Sequence, residues 1–147
     1  MSKTDTDDML VGILETISTI ALVGASNKTE RPSYQVMEFM QGQGYKIIPI
    51  NPGLAGGTIL GETVYASLQD APGPFDMVDI FRASDAAGET VREAITLSDD
   101  KGVTVVWMQL GITNDKAKAE AEAAGLVVVQ NRCPKIEIKR LGLLAAH

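Results

Sequence analysis

Apolar residues in this chain fall into short unbroken blocks rather than into strict alternation with polar ones. Five blocks stand out: "TIALVGA" (19–25), "YKIIPIN" (45–51), "FDMVDIF" (75–81), "VTVVWMQ" (103–109) and "LVVVQ" (126–130). Continuous apolar strands of this kind are covered on both faces, which is the pattern of a parallel sheet. Between the blocks the spacing changes to that of helices. Met9, Leu10, Ile13, Leu14 and Ile17 mark a first helix, with Asp7 or Asp8 as its cap. Pro32 suits the first position of a second helix, whose inner face is Val36, Met37 and Met40 and which ends near Gly42 and Gly44. Ala87, Val91, Ala94 and Ile95 give a third helix over 86–97, with Ser84 or Asp85 as cap. Asn114 caps a fourth, with Ala117, Ala121 and Ala124 inward and Gly125 closing it; a last helix runs from about Pro134 to Leu144.

Strands alternating with helices, joined by right-handed crossovers, predict an α/β fold. The expected architecture is a Rossmann-like, doubly wound, parallel five-stranded sheet of order 3-2-1-4-5, with helices on both faces. One domain over 1–147, with its core at about 15–142, accommodates all of it. Two segments fit less simply. Pro49 lies inside the second strand and requires a side on which no NH is needed. "PGLAGGTILG" (52–61) reads as loop.

Composition narrows the chemistry. The net charge of −6 argues against a broad nucleic-acid surface, though not against a local trap for an anion. No apolar run approaches the roughly 20 residues of a membrane-spanning helix. The polar, acidic start "MSKTDTDDML" is unlike a signal peptide, so a cytoplasmic protein is expected. A single cysteine, Cys133, and a single histidine, His147, remove internal disulfides, multi-cysteine metal clusters and most histidine-based catalysis.

In a doubly wound sheet ligands bind beyond the carboxyl ends of the strands, where the winding reverses. The first such end is "GASNKTERP". Gly24 lets a phosphate approach the backbone, with Ala25 beside it, Ser26 adds a hydroxyl, and Lys28 and Arg31 add charge. The helix starting near Pro32 aims free NH groups at the same loop. The competing reading is a plain strand–helix connection with solvated charges. The second end offers Asn51 and Pro52, a polar amide and an apolar edge, which also suit a simple turn. The third brings Phe81 and Arg82 out together, an aromatic face and a forked cation. The fourth places the Gln109 amide over the crevice, while Trp107 belongs to the core. A nicotinamide-type site would want three glycines in the first loop and an acid after the second strand. Only Gly24 is present, and Asn51–Pro52 stands where the acid belongs.

Taken in order, "LVGAS", "RPSY", "GYKIIPINP", "LGETVYASL", "DMVDIFR", "VVWMQLGI" and "NRCPKIEIKRL" resemble the bacterial CoA-binding-domain family, small stand-alone Rossmann proteins similar to the CoA-binding domain of the succinyl-CoA synthetase alpha subunit. The likeness spans roughly residues 15–142. It implies coenzyme A or an acyl-CoA at the strand ends. Gly24, Ala25 and Ser26 would cradle phosphate, with Lys28 and Arg31 in the variable part of the loop. Asn51 and Pro52 would line the adenosine side, Phe81 and Arg82 would flank the ligand, and Gln109 would lie near the pantetheine path. Relatives often carry a histidine where this chain has Ile138. Glu137 and Arg140 of that block, spaced i, i+3, suit a helix-surface pair.

Two functions follow as expectations. The first is a module that binds CoA or acyl-CoA without catalysis on this chain, since no nucleophile–base pair is visible. The second is an NAD(P)-dependent enzyme or nucleotide sensor on the same fold. Thiol chemistry at Cys133, beside Arg132 and a helix start, is a third and weaker reading. The first helix or exposed methionines offer a contact for a homodimer.

Overall fold

A computed structural model describes residues 6–145; His147 and the residues before Thr6 lie outside the described part. The main strands are β1 (Thr19–Val23), β2 (Lys46–Ile50), β5 (Met77–Ile80), β6 (Val105–Met108) and β7 (Val127–Val129), and between β2 and β5 stand two short ones, β3 (Thr58–Ile59) and β4 (Glu62–Thr63). The helices are α1 (Asp7–Thr16), α2 (Pro32–Gly42), α3 (Ser84–Lys101), α4 (Asp115–Ala123) and α5 (Pro134–Arg140). The main strands form one parallel sheet in the order β2-β1-β5-β6-β7.

This is the expected doubly wound pattern, with one detail moved. The strand at 77–80 lies beside β1, not beyond β2. The place beyond β2 is taken by a single parallel bridge, Ile50 to Tyr65, at the end of the excursion that follows β2. With that bridge counted as a vestigial third strand, the winding runs out from β1 through β2 to Tyr65 and back across to β5, β6 and β7. The bridge also explains Pro49. Its carbonyl accepts from the Tyr65 NH on the outer side, and its missing NH falls on that same side. The stretch read as loop holds β3 and the turn of the β3–β4 hairpin, made by Leu60 at φ 49° and Gly61 at φ 83°.

The sheet separates two cores. Ile20, Leu22, Met77, Val105 and Trp107 pack under α1, α2 and α5. Ala21, Val23, Val78, Ile80, Val106 and Met108 pack under α3 and α4. Several helix ends differ from expectation. Thr6, not Asp7 or Asp8, caps α1, its hydroxyl accepting from Met9 N at 3.1 Å. α3 has no side-chain cap; the Ser84 hydroxyl accepts instead from Thr113 N, and the helix runs on to Lys101. Asn114 does cap α4, but Ala124 is exposed because the helix has already ended. α5 stops at Arg140, short of Leu144. Among the described residues no helix is long and apolar enough to cross a membrane.

Candidate functional site

Gly24 ends β1 at φ +89°, and a Cβ there would stand 2.3 Å from the Phe81 carbonyl oxygen. Only glycine allows both the left-handed turn and this close approach of the β1 and β5 ends. The NH groups of Gly24 and Ala25 both donate to Ile50 O, so the loop leaves the sheet fastened to β2. Ser26 accepts from Lys28 N at 3.1 Å, which curls the next residues back; its hydroxyl proton remains available. Pro32 begins α2, and Arg31 at the cap position makes no side-chain hydrogen bond to the helix. The first-turn NH groups of α2 therefore keep their positive end towards the loop.

A cavity of about 500 Å³ occupies this corner, lined by Gly24, Ala25, Ser26, Lys28, Arg31 and Phe81 among others. Its charged lining groups are both cations. A second cavity of about 570 Å³ adjoins it and runs along α3, with Pro52, Ala66, Ser67, Arg82, Thr90 and Glu93 on its walls. Gly24, Asn51 and Phe81 line both. The two are lobes of one crevice over the carboxyl ends of β1, β2 and β5.

Asn51 is the hinge of that crevice. Its Nδ2 donates to Ala25 O at 2.8 Å, and its Oδ1 accepts from Gly53 N at 2.8 Å. Both ends of the amide are thus used to hold the β1 loop against the turn at Pro52–Leu54. Arg82 leans along the wall, its Nη1 donating to Thr90 Oγ1 at 3.4 Å.

Of the residues singled out from the sequence, Gly24, Ala25, Ser26, Lys28 and Arg31 meet in the first lobe, Pro52 and Arg82 in the second, and Asn51 and Phe81 between them. Gln109 lines neither lobe. It is buried, and its Oε1 has no hydrogen-bond partner. Side-chain alternation puts it on the Trp107 face, where Asp79 is also buried with an unpartnered Oδ1. Burial raises the Asp79 carboxyl well above the ordinary aspartate range, against a smaller opposing hydrogen bond from the Ile80 backbone.

Sequence reasoning missed Ser33, Ser67, Thr90 and Glu93. Ser33 directly follows Pro32 in the first turn of α2, so the helix-start argument made at Pro32 reaches it. Thr90 and Glu93 continue the stripe of Ala83 and Ala86 down α3. Ser67 carried no local signal, because the return of the excursion to β2 is a tertiary event.

The far end of the sheet is built differently. Cys133 is buried at the start of α5. Glu137, 4 % exposed, accepts from Arg132 at 2.5 Å and from Arg140 at 3.1 Å, and Arg140 reaches on to Asp7 of α1 at 2.8 Å. Burial alone would raise the Glu137 carboxyl, but hydrogen bonds from Arg140 and Arg132 outweigh it and hold the group below the ordinary glutamate value. Trp107 Nε1 donates to Arg132 O at 2.8 Å, tying this strand end to the core. Among the described residues there is no cluster of three or more histidine, cysteine or carboxylate side chains able to hold a metal ion.

The chain is similar to known proteins over nearly all of its length. An uncharacterised protein of Bacillus subtilis (strain 168), YneT, is 33% identical over 124 residues, 84% of this chain and 87% of the relative. The structure of a hypothetical protein from Pyrococcus horikoshii OT3 superposes with a TM-score of 0.85 at 38% identity, covering 96% of this chain and 99% of that one. A Thermus thermophilus structure gives 0.86 at 34% identity, with coverage of 93% and 99%. The model of a family described as the CoA binding domain matches residues 18–139, and with the glycine loop, the α2 start and the Asn51 hinge all inside that match, the chain belongs to the CoA binding domain family.

Proposed function

We propose that this chain binds coenzyme A, free or as an acyl-CoA, in the two-lobed crevice, and that it acts as a binding module without a catalytic step of its own. The observation that carries this reading is the unequal charge of the lobes. The first holds Lys28 and Arg31 and no carboxylate. The second holds one cation, Arg82, and one carboxylate, Glu93. Coenzyme A is unequal in the same way, with phosphates clustered around one part and an uncharged arm and a base elsewhere.

The phosphates belong in the first lobe, against the Gly24–Ser26 backbone and the positive end of α2. The adenosine belongs in the second, with Pro52 and Phe81 as flat apolar surfaces and the Arg82 guanidinium held against Thr90 along its wall. The pantetheine arm leaves towards the end of β6. Gln109 meets it there only if the side chain turns out of its buried position. Asn51 acts by holding the loop, since its amide is committed within the protein. The nicotinamide alternative has no comparable support: the loop lacks the second and third glycines and the second strand ends without an acid.

Isothermal titration with CoA and acetyl-CoA is the direct test. Saturable heat is expected from at least one of them, and silence from both sinks the reading. A thermal-shift panel with NAD and CoA side by side separates the alternatives. A ligand at about 100 times its dissociation constant adds roughly 2.7 kcal/mol of stability.

A further inference from the structure

The second lobe follows one stripe of α3. Ala83, Ala86, Thr90 and Glu93 recur at intervals of three and four residues, and all line the cavity. From Ala83 to Glu93 the helix rises about 15 Å at 1.5 Å per residue. Ala83 and Ala86 make the start of this stripe small and apolar, and Pro52 and Ala66 also line the lobe. Polar groups gather lower down, and most are already engaged. Thr90 donates to Ala86 O at 3.3 Å and accepts from Arg82. Ser67 accepts from Asp70 N at 3.2 Å. Glu93 takes part in no hydrogen bond or ion pair among the described residues, and it is the one carboxylate on the lining of either lobe.

A small apolar stripe that runs on to an unengaged, half-buried acceptor fits a planar base that carries an amino group on its far edge. From this we infer that Glu93 is a specificity-determining residue of the crevice: its carboxylate accepts from the exocyclic amine of the ligand's adenine and so selects adenine against 6-oxopurines. The inference rests on the CoA reading and deepens it. Adenine presents an N–H donor at position 6, where hypoxanthine presents a carbonyl oxygen. A carbonyl facing the carboxylate would lose one hydrogen bond and set two acceptors against each other in a partly desolvated slot. Glutamine at position 93 removes the bias, because its amide can turn to meet either edge.

The test uses the full chain and two ligands, CoA and CoA whose adenine has been deaminated to hypoxanthine. Each is titrated calorimetrically into the parent protein and into Glu93→Gln. The parent is expected to bind CoA at least about tenfold more tightly than the deaminated form, the ratio given by one discriminating hydrogen bond. In Glu93→Gln the ratio should fall to within about threefold, with the melting temperature unchanged because the side chain has no partner to lose. Equal affinities in the parent, or an undiminished ratio in the variant, would overturn the role of Glu93 while leaving CoA binding intact. Absence of any CoA binding to the parent would instead overturn the function on which the inference stands.

Discussion

Two helix starts at the same edge of the sheet share a local grammar and have opposite fates. α2 begins "RPSY" and α5 begins "RCPKIE", each with an arginine just ahead of a proline at the first helical position. At α2 the arginine makes no cap, the loop before it is held open by Gly24, and a cavity stands in front of the helix. At α5 the arginine turns onto Glu137, which is also gripped by Arg140, and the helix is drawn down against α1 through Asp7. Charge near a helix start is therefore not a site in itself. It can serve as one only where no neighbouring acid pairs with the cation and the backbone leaves room for a ligand.

That contrast is breakable by mutation. The largest effect is expected at Gly24→Ala, which places a Cβ against the Phe81 carbonyl and forces a left-handed residue to carry a side chain. A loss of about 3 kcal/mol or more in urea unfolding should result. A loss under about 1 kcal/mol would mean that the β1 and β5 ends separate easily.

Glu137→Gln comes next. It removes the charge that two arginines share, and since both are partly solvated the expected loss is about 2 kcal/mol, with CoA affinity unchanged. The acid side has a definite sign. The folded state holds the Glu137 carboxyl below its ordinary value, so its contribution is present above the ordinary glutamate range and is lost as pH falls through the lowered folded value. The stability gap between parent and Glu137→Gln should accordingly close in acid; a gap that widens would contradict the assignment.

Asn51→Ala tests the seam between lobes. Losing the bonds to Ala25 O and from Gly53 N should cost about 1 kcal/mol of stability and weaken CoA binding as well, because the loop is no longer held. Unchanged affinity would show that the loop is fixed by its backbone bonds to Ile50 alone. The smallest change in stability, within about 0.5 kcal/mol, is expected for Lys28→Ala and Arg31→Ala, whose side chains hold no hydrogen bond or ion pair among the described residues. Each should nevertheless weaken CoA binding about tenfold and flatten its dependence on salt. If these two variants lose stability but not affinity, the comparison between the helix starts is inverted.

Much of this was legible in order along the chain. Continuous apolar blocks announced a sheet covered on both faces, and the proline and asparagine at helix starts announced α2 and α4. Gly24, Lys28 and Arg31 lie within one loop, so local reasoning assembled the first lobe. The second lobe was only half visible. Pro52 and Arg82 were found at strand ends, whereas Ser67 arrives by an excursion that returns to β2, and Thr90 and Glu93 depend on how α3 faces that excursion. Gln109 shows the reverse case. A position at a strand end suggested the crevice, but the alternation of the strand turns its side chain towards the α5 face, where it is buried.

The sequence by itself determined the fold class, the strand ends and the positive corner at α2, because periodicity, helix starts and a glycine's permitted φ are properties of a few neighbouring residues. The tertiary structure alone decided which strand lies beside β1, that Asn51 is a clamp, that α5 is locked by Glu137, and that Glu93 lines the second lobe with no partner among the described residues. Those outcomes depend on which groups from distant parts of the chain consume one another's hydrogen bonds and charges, and no local pattern encodes what a residue's partners will have left free.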